Sequence, residues 1–98
     1  MATKKKRIIL CTGNNGRAVL IGDVAKEPKA GEPVTLTRAR MVLYWDAQCG
    51  GLLGLAANGP KGGTRITASV SKTVATKWQE WCSVSATSAK EIDSWPAC

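Results

Sequence analysis

Residues 38–60, RARMVLYWDAQCGGLLGLAANGP, carry the densest apolar run of the chain, two of its five aromatic residues and a glycine-rich segment. The run continues an alternation that begins at Val34 and then changes phase. Val34, Leu36 and Arg38 share one parity, whereas Ala39, Met41, Leu43 and Trp45 share the other. Side chains of a strand point to opposite faces in turn, so both apolar sets can reach one face only if an extra residue intervenes. The pattern predicts a bulge or tight turn at Arg38–Arg40 that swings both arginines outward. Asp46–Gly50 reads as a connection. In Gly51–Asn58, Leu52, Leu55 and Ala56 then recur at helical spacing, and Asn58-Gly59-Pro60 is a stop signal. A glycine-rich loop can instead cradle a phosphate, but the Lys and Ser or Thr that a Walker pattern places after its second Gly are missing. The segment reads as a short apolar helix.

Upstream, Arg7–Thr12 (RIILCT) is an apolar, β-branched run bounded by turn residues, which predicts a buried strand. Gly13-Asn14-Asn15-Gly16 is a tight-turn signal, because Gly and Asn tolerate positive φ, and Arg17–Val24 returns as the partner strand. Ala25–Pro33 is a hydrophilic Pro/Gly loop. Downstream, Pro60–Thr64 reads as a loop carrying Lys61, Arg65–Val70 as a strand, Ser71-Lys72 as a turn and Thr73–Val84 as a longer strand. In that last strand Trp78 and Trp81 have opposite parity, placing one in the core and the other on the outer face. Thr87–Trp95 reads as a terminal helix capped by Thr87 or Ser88, with Glu91 three residues after Ser88, and Pro96 ends it. The sum is an α+β fold: a small, strongly bent antiparallel sheet or open barrel of five to six strands, one short central helix and a C-terminal helix. Residues 1–6 are expected as a flexible basic arm and 7–98 as one domain.

The length of 98 residues suits one modest core. Fourteen basic residues against seven acidic ones leave a net charge of +7, which favours anionic partners such as nucleotides or nucleic acid. Cys11, Cys49, Cys82 and Cys98 are far apart and histidine is absent, so a mixed Cys/His zinc site is excluded. Cys11 and Cys82 read as core residues in a reducing compartment. No run approaches membrane-spanning length. Without histidine, a cysteine nucleophile lacks its usual base, and the acids form no paired motif, so the chain is expected not to be an enzyme and to need no cofactor.

The order RIILCT, GRAVLIGDV, PVTLTRARMVLYWD, GLLGLAANGP, RITASV and then Cys82 resembles a family of small phage-encoded proteins of unknown function. The resemblance spans about residues 7–92 and is carried by the Ala39–Trp45 and Leu52–Gly59 blocks. It implies a phage context, hence the cytoplasm of an infected cell, and brings no catalytic residues with it.

Arg38, Arg40, Tyr44, Trp45, Lys61 and Arg65 are the candidate ligand residues. Guanidinium groups grip phosphate in a fork and aromatic faces stack on bases. If the Asn58–Thr64 loop folds toward the bulge, these groups form an anion pocket. The competing reading puts Tyr44 and Trp45 in the core and leaves both arginines solvated or paired with Asp46 and Glu32. The leading functional expectation is a phage accessory protein, of a counter-defence kind, that captures a phosphate-bearing ligand such as a signalling nucleotide as a homo-oligomer. One alternative is binding of nucleic acid or a host protein through the basic surface and the Lys4, Lys5, Lys6, Arg7 arm. The other is a virion component.

Overall fold

The structure, a computed structural model, describes residues 6–12 and 18–97. The tight turn expected at Gly13–Gly16 lies outside them. Strands β1 (Lys6–Thr12) and β2 (Ala18–Val24) pair antiparallel with Ile9 opposite Ile21. The long strand β3 (Val34–Tyr44) lies against the other edge of β2. A 3-10 turn at Ala47–Cys49 leads into helix α1 (Gly51–Asn58). The strands β4 (Arg65–Ile66) and β5 (Val70–Ala75) share the outer edge of β3: β5 runs beside Val34–Ala39, and β4 beside Val42 and Tyr44. Strand β6 (Trp78–Ser83) pairs with β1 at the far edge, and helix α2 (Ala86–Ser94) follows. The result is a six-stranded antiparallel sheet with two helices, an α+β fold. Only Thr76 and Lys77 connect β5 to β6, although these strands border opposite edges. The sheet therefore curls until its edges approach, but β5 and β6 do not pair and the barrel stays open.

The expected bulge is present. On β2, Ile21 and Asp23 face Arg40 and Thr37, so β3 carries one extra residue there. Arg38 absorbs it with φ of 51°, the left-handed region that a branched side chain rarely enters. Because the bulge resets the parity, Val34, Leu36 and Ala39 all pack into one cluster. Gly22 sits opposite, and a Cβ there would lie 2.9 Å from the Leu36 Cβ.

The curl gives the sheet two buried faces. Inside it, Ile8, Leu10, Val24, Val34, Leu36, Ala39 and Ala75 form one core, with Trp78 and Trp81 packed at its margin. On the other face, Ile9, Val19, Ile21, Val42 and Ile66 meet Leu55 and Ala56 of α1 and Ile92 of α2. Consecutive residues of β1 thus point into different cores, which is why RIILC is apolar without alternation. The helices are joined end to side. Ser85, the N-cap of α2, accepts a hydrogen bond from the Ser88 amide and donates one to the Ala57 carbonyl, while Ser88 donates to the Leu55 carbonyl from a fully buried position. In α1, a Cβ at Gly54 would collide with the carbonyl of Cys49, so this glycine serves tight packing of the turn on the helix.

Five local expectations differ from the structure. The strand expected over Thr73–Val84 is broken at Thr76-Lys77 into β5 and β6. Trp78 and Trp81 do not lie on opposite faces: the register of β6 on β1 shifts between Cys11 and Thr12, and both pack at the inner core. Ser71-Lys72 is not a turn: both lie within β5, and the chain reverses at Thr76-Lys77 instead. The strand expected from Arg65 to Val70 shrinks to Arg65–Ile66. The helix cap is Ser85 rather than Thr87 or Ser88.

Candidate functional site

The six candidate ligand residues separate into two groups along β3. Arg38 and Arg40 stand at its bulge. There the expectation that both arginines swing outward fails for Arg40, because the bulge sends Ala39 into the inner core and Arg40 to the helix-covered face. Only 9% of Arg40 is exposed. Its guanidinium donates to the carbonyls of Thr67, Ile92 and Trp95, at 2.6 Å for Thr67 and 2.9 Å for Trp95. Ile92 and Trp95 lie at the C-terminal end of α2, where the helix dipole favours a cation; the Ile92 carbonyl also accepts from the Trp95 amide. Burial lowers the Arg40 pKa and the charge of Arg7 adds to this, with Asp93 acting in the opposite direction. Arg40 is a structural clasp.

Arg38 does project outward, but not to the partners expected, Asp46 and Glu32. Its Nε donates to Asp23 Oδ2 at 2.7 Å, and its Nη1 lies 3.8 Å from Asp93 Oδ2. Arg7 completes the group, donating to Asp23 Oδ1 at 2.7 Å and to Asp93 Oδ1 at 2.8 Å. Burial by itself would raise the Asp23 pKa, but the hydrogen bonds and charges of Arg38 and Arg7 outweigh it and hold the carboxyl below the usual range. For Arg7, burial alone would lower the pKa, and the two carboxylates more than reverse it. Arg7 is therefore not part of a basic arm: it is a buried residue of β1. Of the other arm residues, Lys6 pairs with Glu27 at 3.6 Å and sits 5.3 Å from the Trp81 ring centre. Lys4 and Lys5 lie outside the described residues. The sequence reading overlooked Asp23 and Asp93. A signal for Asp23 was present, since it shares the parity of the apolar Val19 and Ile21, both on the helix-covered face, and a carboxylate buried there requires a cation.

The second group gathers where β3 ends. The register of β3 on β4 shifts between Val42, opposite Ile66, and Tyr44, opposite Arg65, so Leu43 is a second extra residue. Leu43, Tyr44 and Arg65, with Gly63, line an open hollow of about 520 Å³. Tyr44 is 50% and Trp45 37% exposed, which rules out the alternative that both are core. The loop that carries Lys61 is fixed beneath them by Asp46. The Asp46 carboxylate accepts from the amides of Gln48 and Gly63, which lower its pKa, and Thr64 Oγ1 accepts from the Asp46 amide while donating to the Lys61 carbonyl. Trp95 Nε1 donates to the Thr64 carbonyl and ties the loop to the end of α2. The loop thus reaches the end of β3, not the bulge, and carries Lys61 to that end; the Lys61 side chain is not among those lining the Tyr44–Arg65 hollow.

Two of the described thiols are held toward their protonated form. Burial, with the charge of Glu80, raises the pKa of Cys11, and burial does the same for Cys82, assisted by Cys11 and Glu80. Both pack against the helix-side core. Buried Cys49 lies 3.2 Å from Thr64 Oγ1. Among the described residues no group of His, Cys, Asp and Glu side chains comes together to hold a metal ion, and no helix is long and apolar enough to cross a membrane.

No curated protein and no solved structure matches this chain. A family model does, over residues 5–95, a span that includes both groups of candidate residues and every described strand and helix. The chain belongs to the family described as a domain of unknown function, DUF6948.

Proposed function

We propose that this protein is a non-catalytic binding module that takes a phosphate-bearing ligand with an aromatic base on the face formed by Tyr44 and Arg65. The observation that carries the proposal is the pairing of a half-exposed aromatic ring with an exposed guanidinium across two hydrogen-bonded strands. The ring offers a stacking surface and the guanidinium a phosphate fork. Lys61, on a loop held by Asp46, adds a second cation near that end of β3, and Trp45 a second exposed aromatic. Arg40 is left out of the site because its donors serve the carbonyls of Thr67, Ile92 and Trp95, and Arg38 because its Nε and Nη1 face the carboxylates of Asp23 and Asp93. The resemblance of the Ala39–Trp45 and Leu52–Gly59 blocks to small phage-encoded proteins supports an accessory role in the cytoplasm of an infected cell.

Titration of a panel of purine and pyrimidine mononucleotides, followed by intrinsic tryptophan fluorescence and calorimetry, tests the reading. Binding is expected for the wild-type chain. Tyr44→Ala or Arg65→Ala is expected to weaken it about tenfold with the far-UV circular dichroism spectrum unchanged. Absence of heat and of quenching across the panel, or full binding by both variants, would refute it.

A further inference from the structure

Strands β4, β5 and β6 form the outer edges of the sheet. An edge strand pairs on one side only, so every second residue directs its N–H and C=O away from the sheet. At β4 the chain covers this row itself: Ile66 pairs with Val42 on one side and bridges to Ala97 on the other. Among the described residues β5 pairs only with β3, and β6 only with β1. The two follow each other across Thr76-Lys77, as the arms of a hairpin would, yet a hollow of about 540 Å³ lies between them. Thr73, Val74 and Ala75 line it from β5, and Trp78 and Gln79 from β6.

The chemistry of such an edge limits what can occupy it. A row of alternating donors and acceptors along an extended backbone is matched in spacing by another extended backbone. The two open edges differ in charge. β5 carries Lys72 and no carboxylate, with Lys77 just beyond its end, whereas β6 carries Glu80. Val70, Lys72 and Val74 share one parity of β5 and are all exposed, the valines at 54% and 48%. Ala75, of the other parity, belongs to the inner core. β5 thus presents a cation between two exposed valines along an unpaired row of backbone groups. A second copy of this chain fits poorly, because its β5 is equally cationic and each chain carries a net charge of +7.

We propose that the β5 edge is a docking site for an extended acidic segment of a partner protein. The segment adds as a further strand, with a carboxylate beside Lys72 and apolar side chains beside Val70 and Val74. Main-chain hydrogen bonds give such a complex its affinity, and the alternating side chains give it selectivity. No residue of β5 lines the Tyr44–Arg65 hollow, so this surface stands whether or not that face takes a nucleotide.

The test is fluorescence anisotropy of the full chain with a labelled, end-capped hexapeptide of alternating valine and glutamate. It is compared with a valine–lysine version and with two acidic versions N-methylated at alternate residues, one in each phase. An added strand uses only one of its own edges, so one phase of methylation is expected to abolish binding and the other to leave it unchanged. A basic surface that merely attracts anions would treat the two phases alike. The valine–lysine peptide is expected to bind at least about tenfold more weakly, since it sets like charges side by side. Lys72→Glu is expected to weaken the acidic peptide about tenfold and to admit the lysine version. Lys72 is exposed, so an unchanged far-UV circular dichroism spectrum is expected for this variant. Hydrogen exchange locates the strand: amides of Val70–Ala75 should gain protection with the peptide, and those of β6 should not. No binding of the acidic hexapeptide, equal effects of the two methylation phases, unchanged affinity in Lys72→Glu, or protection confined to β6 overturns the proposal. A dimer whose β5 amides are already protected without peptide would assign the edge to a second copy and overturn it equally.

Discussion

Replacing Arg40 with alanine would remove a donor from the carbonyls of Thr67, Ile92 and Trp95, of which Ile92 keeps the Trp95 amide. A buried polar group stripped of its partner costs about 1–3 kcal/mol, and here the carbonyls of Thr67 and Trp95, both only part-buried, lose the donor. A loss of about 1–3 kcal/mol is expected from urea unfolding of Arg40→Ala. Arg40→Met keeps much of the packing volume, so a similar loss there would assign the effect to the hydrogen bonds. Asp23 poses the complementary case, a carboxylate between two guanidiniums. Its folded pKa is lowered relative to the unfolded value of about 3.9. The stability it contributes is therefore complete above that unfolded value and is lost as the pH falls through the lower, folded one. Acid unfolding of the wild type should accordingly steepen only below about pH 4. Asp23→Asn leaves Arg7 short of a charge partner and is expected to lose about 3 kcal/mol at pH 7, with a flatter acid limb. This side of the candidate site was half legible. Two arginines near a phase change were visible in the sequence, but period-two geometry past the bulge decides their faces, and only the fold shows what occupies each face. Arg40 finds the end of a helix whose sequence begins more than 40 residues later.

At the scale of elements, the bulge of β3 could be read from parity alone, because a strand packed on a core cannot leave Leu36 and Ala39 on opposite faces. Its counterpart could not be read. Gly22 on β2 is needed because Leu36 and the Thr37 carbonyl lie 2.9 and 3.2 Å from where its Cβ would be. Gly22→Ala forces the two strands apart, and a loss of about 1–3 kcal/mol in thermal or urea unfolding is expected, the range for overpacking. The same substitution at Gly31, where nothing lies within 4 Å of the added atom, is limited to its backbone strain at φ of 82°. The segment from Arg65 to Ser83 was hardest to parse. Ser71-Lys72 looks like a turn by composition, yet Lys72 pairs with Thr37, and cross-strand pairing overrides the local preference. The actual reversal at Thr76-Lys77 carries no Gly, Pro, Asn or Asp to announce it. Trp78 and Trp81 were expected on opposite faces, but the register of β6 on β1 shifts between Cys11 and Thr12, which resets the parity, and both border the inner core. At the C-terminal helix, Ser88 resembled a cap but is instead fully buried against α1, and Ser85 holds the cap position.

Across the whole molecule, the two cores share β1 as a common wall, with Ile9 on the helix side and Leu10 inside the curl, 1% and 0% exposed. Neither core can come apart without exposing the other. Ile9→Ala and Leu10→Ala are each expected to cost about 2–5 kcal/mol, the range for emptying a large aliphatic site. Both variants should still unfold in one transition, with far-UV circular dichroism and tryptophan fluorescence coinciding. Separate midpoints for the two probes would mean that the cores behave as independent units. The same wall bears on how the chain is made. On the ribosome β1 emerges first and soon meets β2, but its other edge waits for β6, as Ile9 is matched to Cys82. Until β6 has emerged the nascent chain presents an unpaired strand edge beside two incomplete cores, which is the surface on which newly made chains adhere to one another. The last strand to leave the tunnel seals the first, so speed of completion, as much as final stability, governs how cleanly this protein reaches its native state.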